Sequence, residues 1–339
     1  MNTFVASPGF DVSRLKGTTL ILPSVSIGNV PQLTIDLLLA TLKLDRVGCI
    51  EDENVVPVLG PADSVLDPMT PSTIRKNNNV AAPAATRAEA TGPALALAVE
   101  VFQSKDGKWT LIQQRSPTVH HRSHHYTDNL IQFIKESGFG QVVLLTSADG
   151  ARRIDIQLQA GTPPVRFISS PKLSKELVEE TIQGQLGIVP LEDVPATEDQ
   201  KREAIIRRQE HFLAMHHHQA SSSAALTEQV EEMQLDETQP EQQQQQQQLE
   251  KVPRIPSGGI ARRLHSLCQE QDIAILTLIK FAMEGDNAPD AIFLANVLNA
   301  IFKLHSSTEQ EALQGEGSWK VPKSWDSLYG NSFHQDMYH

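Results

Sequence analysis

Short apolar runs alternate with amphipathic stretches through the first half of the chain. Thr18-Thr19-Leu20-Ile21-Leu22, closed by Pro23, predicts a buried strand. After a turn at residues 24–30, Pro31 suits the first turn of a helix. Leu33, Leu37, Leu38 and Leu42 follow at i, i+4, i+5 and i+9, the spacing of an apolar helical face. Residues 55–59 predict another strand. Leu95–Phe102 and Trp109–Gln113 predict two strands joined by the hairpin turn Lys105-Asp106-Gly107. Tyr126–Ser137 predicts a helix with Leu130, Phe133 and Ile134 on one face, stopping at Gly138. Gln141–Thr146 (QVVLLT) is almost wholly apolar, as a strand covered on both faces should be. Val165–Ile168 predicts a last short strand.

Beyond residue 253 the pattern is helical. Ile260–Leu267, Ile273–Met283 and Pro289–Leu304 each carry apolar residues at helical spacing, and Asn287 with Asp290 predicts a capped start for the last. Strands alternating with helices, followed by a helical C-terminal block, predict a single three-layer α/β/α domain built from residues 1–175 and 253–330.

Two polar segments interrupt it. Residues 61–93 are a low-complexity loop rich in Pro, Ala, Asn and Thr. Residues 184–250 contain Gln242–Gln248, His216–His218 and Ser221–Ser223, and predict a long, acidic, Gln-rich disordered insertion, too poor in apolar surface to offset the entropy of ordering.

Charge adds to this division. The chain of 339 residues has a formal charge of −12, yet residues 176–252 alone hold 16 acidic against 5 basic side chains. The remainder is close to neutral, which argues against a nucleic-acid partner, since such proteins present a basic face. No apolar run approaches the roughly 18 residues of a membrane span. The first residues lack the basic and apolar regions of a secretory signal. Two cysteines, Cys49 and Cys268, make no disulfide framework and fit a reducing compartment.

Catalytic motifs are weak. The turn after the first strand has one glycine, Gly28, and neither G-x-G-x-x-G nor G-K-[ST], so it predicts a strand-to-helix turn rather than a phosphate loop. His120 and His124 are spaced to share a helix face, but a zinc site needs three or four ligands. G-x-S-x-G is absent. Ser147 and Asp149, following the QVVLLT strand, occupy the best position for an enzyme reading, because α/β sheets place ligands at the carboxyl ends of their strands. Glu284-Gly285-Asp286-Asn287 does not match a calcium loop. The residues point to no cofactor and no metal.

The chain ends Met337-Tyr338-His339 after the spacer Gly330-Asn331-Ser332. A hydrophobic residue, a penultimate tyrosine and a free carboxylate suit a docking tail at 331–339: the carboxylate seeks a lysine, and the ring fills an apolar slot.

Four segments together resemble the proteasome assembly chaperone family. They are Thr19–Leu42, with S-x-G-N-V-x-Q-L at Ser26–Leu33; Ile255–Ile260 (IPSGGI); Leu278–Asn299, with E-G-D-N-x-P-D at Glu284–Asp290; and Trp319–Gly330. Ser257 departs from the family, which commonly has a third glycine there, and the Gln-rich insertion is a second departure. The resemblance implies a phosphorylase/hydrolase-like α/β/α fold without an active site. It also implies a non-enzymatic role in the cytoplasm, and in the nucleus as a second compartment. The chain would act as a heterodimer with proteasome assembly chaperone 1, binding α-type subunits and promoting α-ring formation in the 20S core particle. Met337, Tyr338 and His339 match, residue for residue, the tail that docks between α subunits. The runner-up expectation is a nucleoside phosphorylase- or hydrolase-like enzyme using the pocket after residues 141–146.

Overall fold

The computed structural model of the chain describes residues 3–42, 44–62, 95–159, 161, 163–193, 251–305 and 319–327. The chain divides into two units, residues 1–191 with 255–339, and residues 192–254; the first holds every element named below. Most of the 61–93 loop, residues 194–250 of the insertion and the whole 331–339 tail lie outside the described residues.

Among the described residues the strands are β1 (Phe4–Ala6), β2 (Thr19–Pro23), β3 (Asp45–Ile50), β4 (Leu59–Pro61), β5 (Leu95–Leu97), β6 (Val99–Gln103), β7 (Trp109–Gln114), β8 (Gln141–Asp149), β9 (Val165–Ser169) and β10 (Ile275–Ala282). The long helices are α1 (Val30–Leu42), α2 (Ser123–Ser137), α3 (Ala261–Glu270) and α4 (Ala288–Phe302). Eight strands make one mixed sheet in the order β1-β3-β6-β7-β2-β8-β10-β9, and β4 pairs with β5 alone. The central four, β7, β2, β8 and β10, run parallel, while the flanking pairs are antiparallel.

Side chains on a strand alternate between faces, and the central strands are apolar on both. Along β2, Ile21 faces one cluster while Leu20 and Leu22 face the other; along β8, Val143 and Leu145 oppose Val142 and Leu144. On the first face, α1 contributes Leu33, Leu37 and Leu38, and α4 contributes Leu294 and Leu298. On the second, α2 contributes Tyr126, Leu130 and Phe133, and α3 contributes Leu264 and Cys268. The expected α/β/α layering is therefore formed, with its core split by the sheet.

The turn signals act where expected. Gly107, at φ 69°, closes the β6–β7 hairpin, and Asp106 Oδ1 accepts from the Ser104 hydroxyl at 2.6 Å. Gly138, at φ 66°, ends α2 in the left-handed conformation.

Several expectations are corrected. Residues 273–283 are not helical: Ile275–Ala282 is strand β10, inserted between β8 and β9. All eight of its residues are buried, so no solvent-facing position remains to mark a period of two. Its Ile, Thr and Phe content instead suits a pleated interior. The C-terminal block is thus helix–strand–helix. The 55–59 run is not a strand; Val55 makes one bridge to Thr118, and pairing begins only at Leu59. The apolar run from Leu95 is two strands, broken at Ala98. β1 and β3 carry no expectation from the sequence because their residues alternate weakly. Past residue 175 a wide-turned helix, Glu176–Gln185, places Ile182 in the core, and Ile188 joins the same cluster.

A largely buried ion pair ties β10 to the start of α4. Lys280 Nζ, on β10, lies 2.7 Å from Asp290 Oδ1 in the first turn of α4 and also donates to the Phe281 carbonyl at 2.8 Å. Only 5% of the Lys280 side chain is exposed, so its charge depends on that carboxylate.

Candidate functional site

The carboxyl ends of β2, β8 and β10 gather three of the four family-like segments. After β2 the chain turns through Ser24–Asn29 into α1. The Ser24 hydroxyl donates to the Gly258 carbonyl at 2.8 Å, and the Thr146 hydroxyl donates to the same oxygen at 3.0 Å. The Ile27 N–H reaches the Ser257 carbonyl at 3.2 Å, and the Asp149 N–H reaches the Pro256 carbonyl at 3.0 Å. The S-x-G-N turn, the end of the QVVLLT strand and the IPSGGI turn are thereby stitched into one junction.

Glycine is required at two points in it. Gly259 has φ 62°, and a β-carbon there would collide with the Val25 carbonyl and stand 2.7 Å from Ser24 Oγ. Gly28 has φ 69°, and a β-carbon there would stand 2.5 Å from Asn287 Nδ2. Ser257 also sits at positive φ, 59°, a backbone conformation that favours glycine.

Asn287 does not cap α4 as expected. Its amide nitrogen donates backward to the carbonyls of Met283 at 2.9 Å and Gly285 at 3.0 Å, while Asp286 Oδ1 accepts from the Ala288 N–H at 3.0 Å. The buried Asn287 closes its own loop over Gly28, and the cap falls to the preceding residue.

Chemistry at this edge is restrained by the same bonds. Ser147 is fully buried, and its hydroxyl donates to the Ile27 carbonyl at 2.5 Å. It also lies 2.8 Å from the Ser26 hydroxyl, which in turn accepts from the Ser147 N–H at 3.0 Å. A nucleophile needs a base within reach and an open approach; Ser147 has neither in this arrangement. Asp149 caps the following turn through the Ala151 N–H at 2.9 Å and faces Arg152 at 3.5 Å. Ser147 therefore braces the turn after β2, and Asp149 the turn after β8.

The remaining sequence candidates separate. The His120 ring stacks edge-on against His121, with centroids 3.6 Å apart, while His124 lies at the start of α2. Partial burial, and then the neighbouring Arg263 charge, lower the His124 pKa. Among the described residues no cluster of three His, Cys, Asp or Glu side chains is placed to hold a metal, and no helix is long and apolar enough to cross a membrane.

The fourth family-like segment packs on the layer of α1 and α4. Trp319 is buried against α1 and α4, its indole N–H donating to Asn296 Oδ1 at 2.7 Å, and the Lys320 N–H donates to the Thr41 hydroxyl at 2.9 Å. Met337, Tyr338 and His339 lie outside the described residues. What the sequence did not reveal is the pairing itself: Ser26 with Ser147, Thr146 with Gly258, and Gly28 with Asn287. Glycines standing among small polar residues were the available signal for such close approach.

A family model, that of the PAC2 family, matches residues 20–316. Proteasome assembly chaperone 2 of Danio rerio is 31% identical over 328 residues, covering 96% of each chain. That of Homo sapiens is 26% identical over 323 residues, covering 95% of this chain and 96% of its own. Among solved structures, Pyrococcus furiosus PbaA, described as an archaeal homolog of proteasome-assembly chaperone, aligns with a TM-score of 0.48 at 11% identity, covering 88% of each chain. The match spans both blocks of the sheet and all three segments of the junction, and the chain belongs to the PAC2 family.

Proposed function

We propose that this protein is a chaperone for assembly of the 20S proteasome core particle. The observation that carries the reading is 31% identity to a proteasome assembly chaperone 2 across 96% of both chains. In this reading the chain pairs with proteasome assembly chaperone 1, and the heterodimer binds α-type subunits and promotes closure of the α-ring, in the cytoplasm and the nucleus. The tail Met337-Tyr338-His339 docks between adjacent α subunits, with the carboxylate on a lysine and the tyrosine ring in an apolar slot. The junction supports a binding role over a catalytic one, because its hydroxyls are spent on holding loops together.

The test is affinity purification of the full chain from its own cells, intact and lacking residues 337–339, with the co-purified proteins identified by mass spectrometry. Recovery of proteasome assembly chaperone 1 with both versions is expected, and loss of α-type subunits with the truncated one. Equal recovery of α subunits would remove the tail from the mechanism. Recovery of neither partner would overturn the assembly reading itself.

A further inference from the structure

In this sheet β2 sends α1 to one face, while β7 sends α2 to the other. Between the carboxyl ends of two such parallel strands the helices part and leave a crevice, the place where open α/β sheets bind ligands. The crevice is present here as a cleft of about 290 Å³. Val25, from the turn after β2, and Thr118, beyond the end of β7, form part of its wall; Ser123, His124 and Thr127 of α2 and Arg263 of α3 supply its polar side.

Arg263 gives the cleft its character. One nitrogen, Nη2, donates to Asp128 Oδ1 at 2.7 Å, and that carboxylate is half exposed. The Nε–H is buried and meets no acceptor among the described residues. A buried guanidinium N–H calls for an acceptor, and the acceptors that match it best are oxyanions. The Thr127 hydroxyl donates to the Ser123 carbonyl at 2.6 Å, so its proton is already used within α2. Gln114, at the back of the cleft, is likewise used: its amide donates to the Ser116 carbonyl at 2.9 Å, and its oxygen accepts from the Tyr126 hydroxyl at 3.1 Å. Arg263 is the one Asp, Glu, Lys or Arg side chain among the residues that line the cleft.

We propose that this cleft binds a small oxyanion, of the phosphate or carboxylate kind, on Arg263 with Ser123 and His124 beside it. The site is distinct from the tail and independent of the assembly reading.

Inorganic phosphate is the probe. It is titrated calorimetrically into the full chain at constant ionic strength, with chloride as the comparison and acetate as the carboxylate arm. Saturable binding of phosphate or acetate but not chloride is expected. Arg263→Gln should weaken it by at least about tenfold, whereas Arg152→Gln, outside the cleft, should leave it unchanged. Ser123→Asp separates binding from folding: an acidic residue at a helix start favours the helix, so the thermal midpoint should hold while anion binding is lost. Absence of saturation by either anion, or undiminished binding in both cleft variants, would overturn the proposal. Should Arg263→Gln fail to fold, Ser123→Asp decides alone.

Discussion

Gly28 and Asn287 are 259 residues apart in the chain, yet a β-carbon on Gly28 would stand 2.5 Å from the Asn287 side-chain nitrogen. The contact locks the turn that starts α1 to the loop that starts α4, the two helices that share one face of the sheet. The loop cannot yield easily, because Asn287 is already held by the Met283 and Gly285 carbonyls.

Gly28→Ala should therefore lower stability for two reasons: the left-handed backbone at φ 69° and the clash with Asn287. The expected loss is about 2–3 kcal/mol, read from the urea midpoint. In an Asn287→Ala background the clash is gone and only the backbone cost remains, so the same substitution should lose clearly less. Equal losses in both backgrounds would mean that the contact carries no energy.

The Lys280–Asp290 pair predicts a different asymmetry. Asp290→Ala leaves a buried ammonium without its carboxylate. Because Asp290 is one-third exposed and water can partly take its place, the expected cost lies at the lower end, about 2–3 kcal/mol. Replacing both partners by apolar residues, Lys280→Met with Asp290→Leu, should restore most of that loss. Chemical denaturation of the three variants beside the wild type measures it.

His265 sets a pH dependence. It lies fully buried on the inner face of α3, with Nδ1 2.8 Å from the Thr277 hydroxyl, and burial lowers its pKa to about 4. Its ordinary value is about 6.5, so the unfolded chain takes up the proton first as pH falls. The stability tied to the neutral ring is complete above about pH 6.5 and is lost on acidification toward pH 4, amounting to about 2 kcal/mol by pH 5. Comparing unfolding at pH 7 and pH 5, His265→Gln should show a smaller drop than the wild type. An identical drop would assign the acid sensitivity to other groups.

Local signals carried much of this architecture. The leucines of α1, the Asp106-Gly107 hairpin, the stop at Gly138 and the apolar run of β8 are short-range patterns, each specified by neighbouring residues and each formed where expected. The segments that mark the family were legible for the same reason, because a motif is a local string. β10 was not: its residues are buried on both faces, and a continuous apolar run has no polar positions from which to read a period. Its place between β8 and β9 depends on parallel pairing across more than a hundred residues, such as Ile275 with Val142.

The candidate site shows the same division. Composition and missing motifs already made a catalytic reading weak, and the terminal Met337-Tyr338-His339 stood out by residue type alone. Only the fold decides that Ser147 is an internal brace, that Asn287 clasps Gly28 instead of capping a helix, and that Arg263 faces a cleft at the parting of the helices. Those outcomes depend on which loops meet at the ends of non-adjacent strands. Residue identity and local spacing determine each loop's own conformation, but the hydrogen-bond partners of a side chain are settled by sheet order, and sheet order exists only once distant segments have packed.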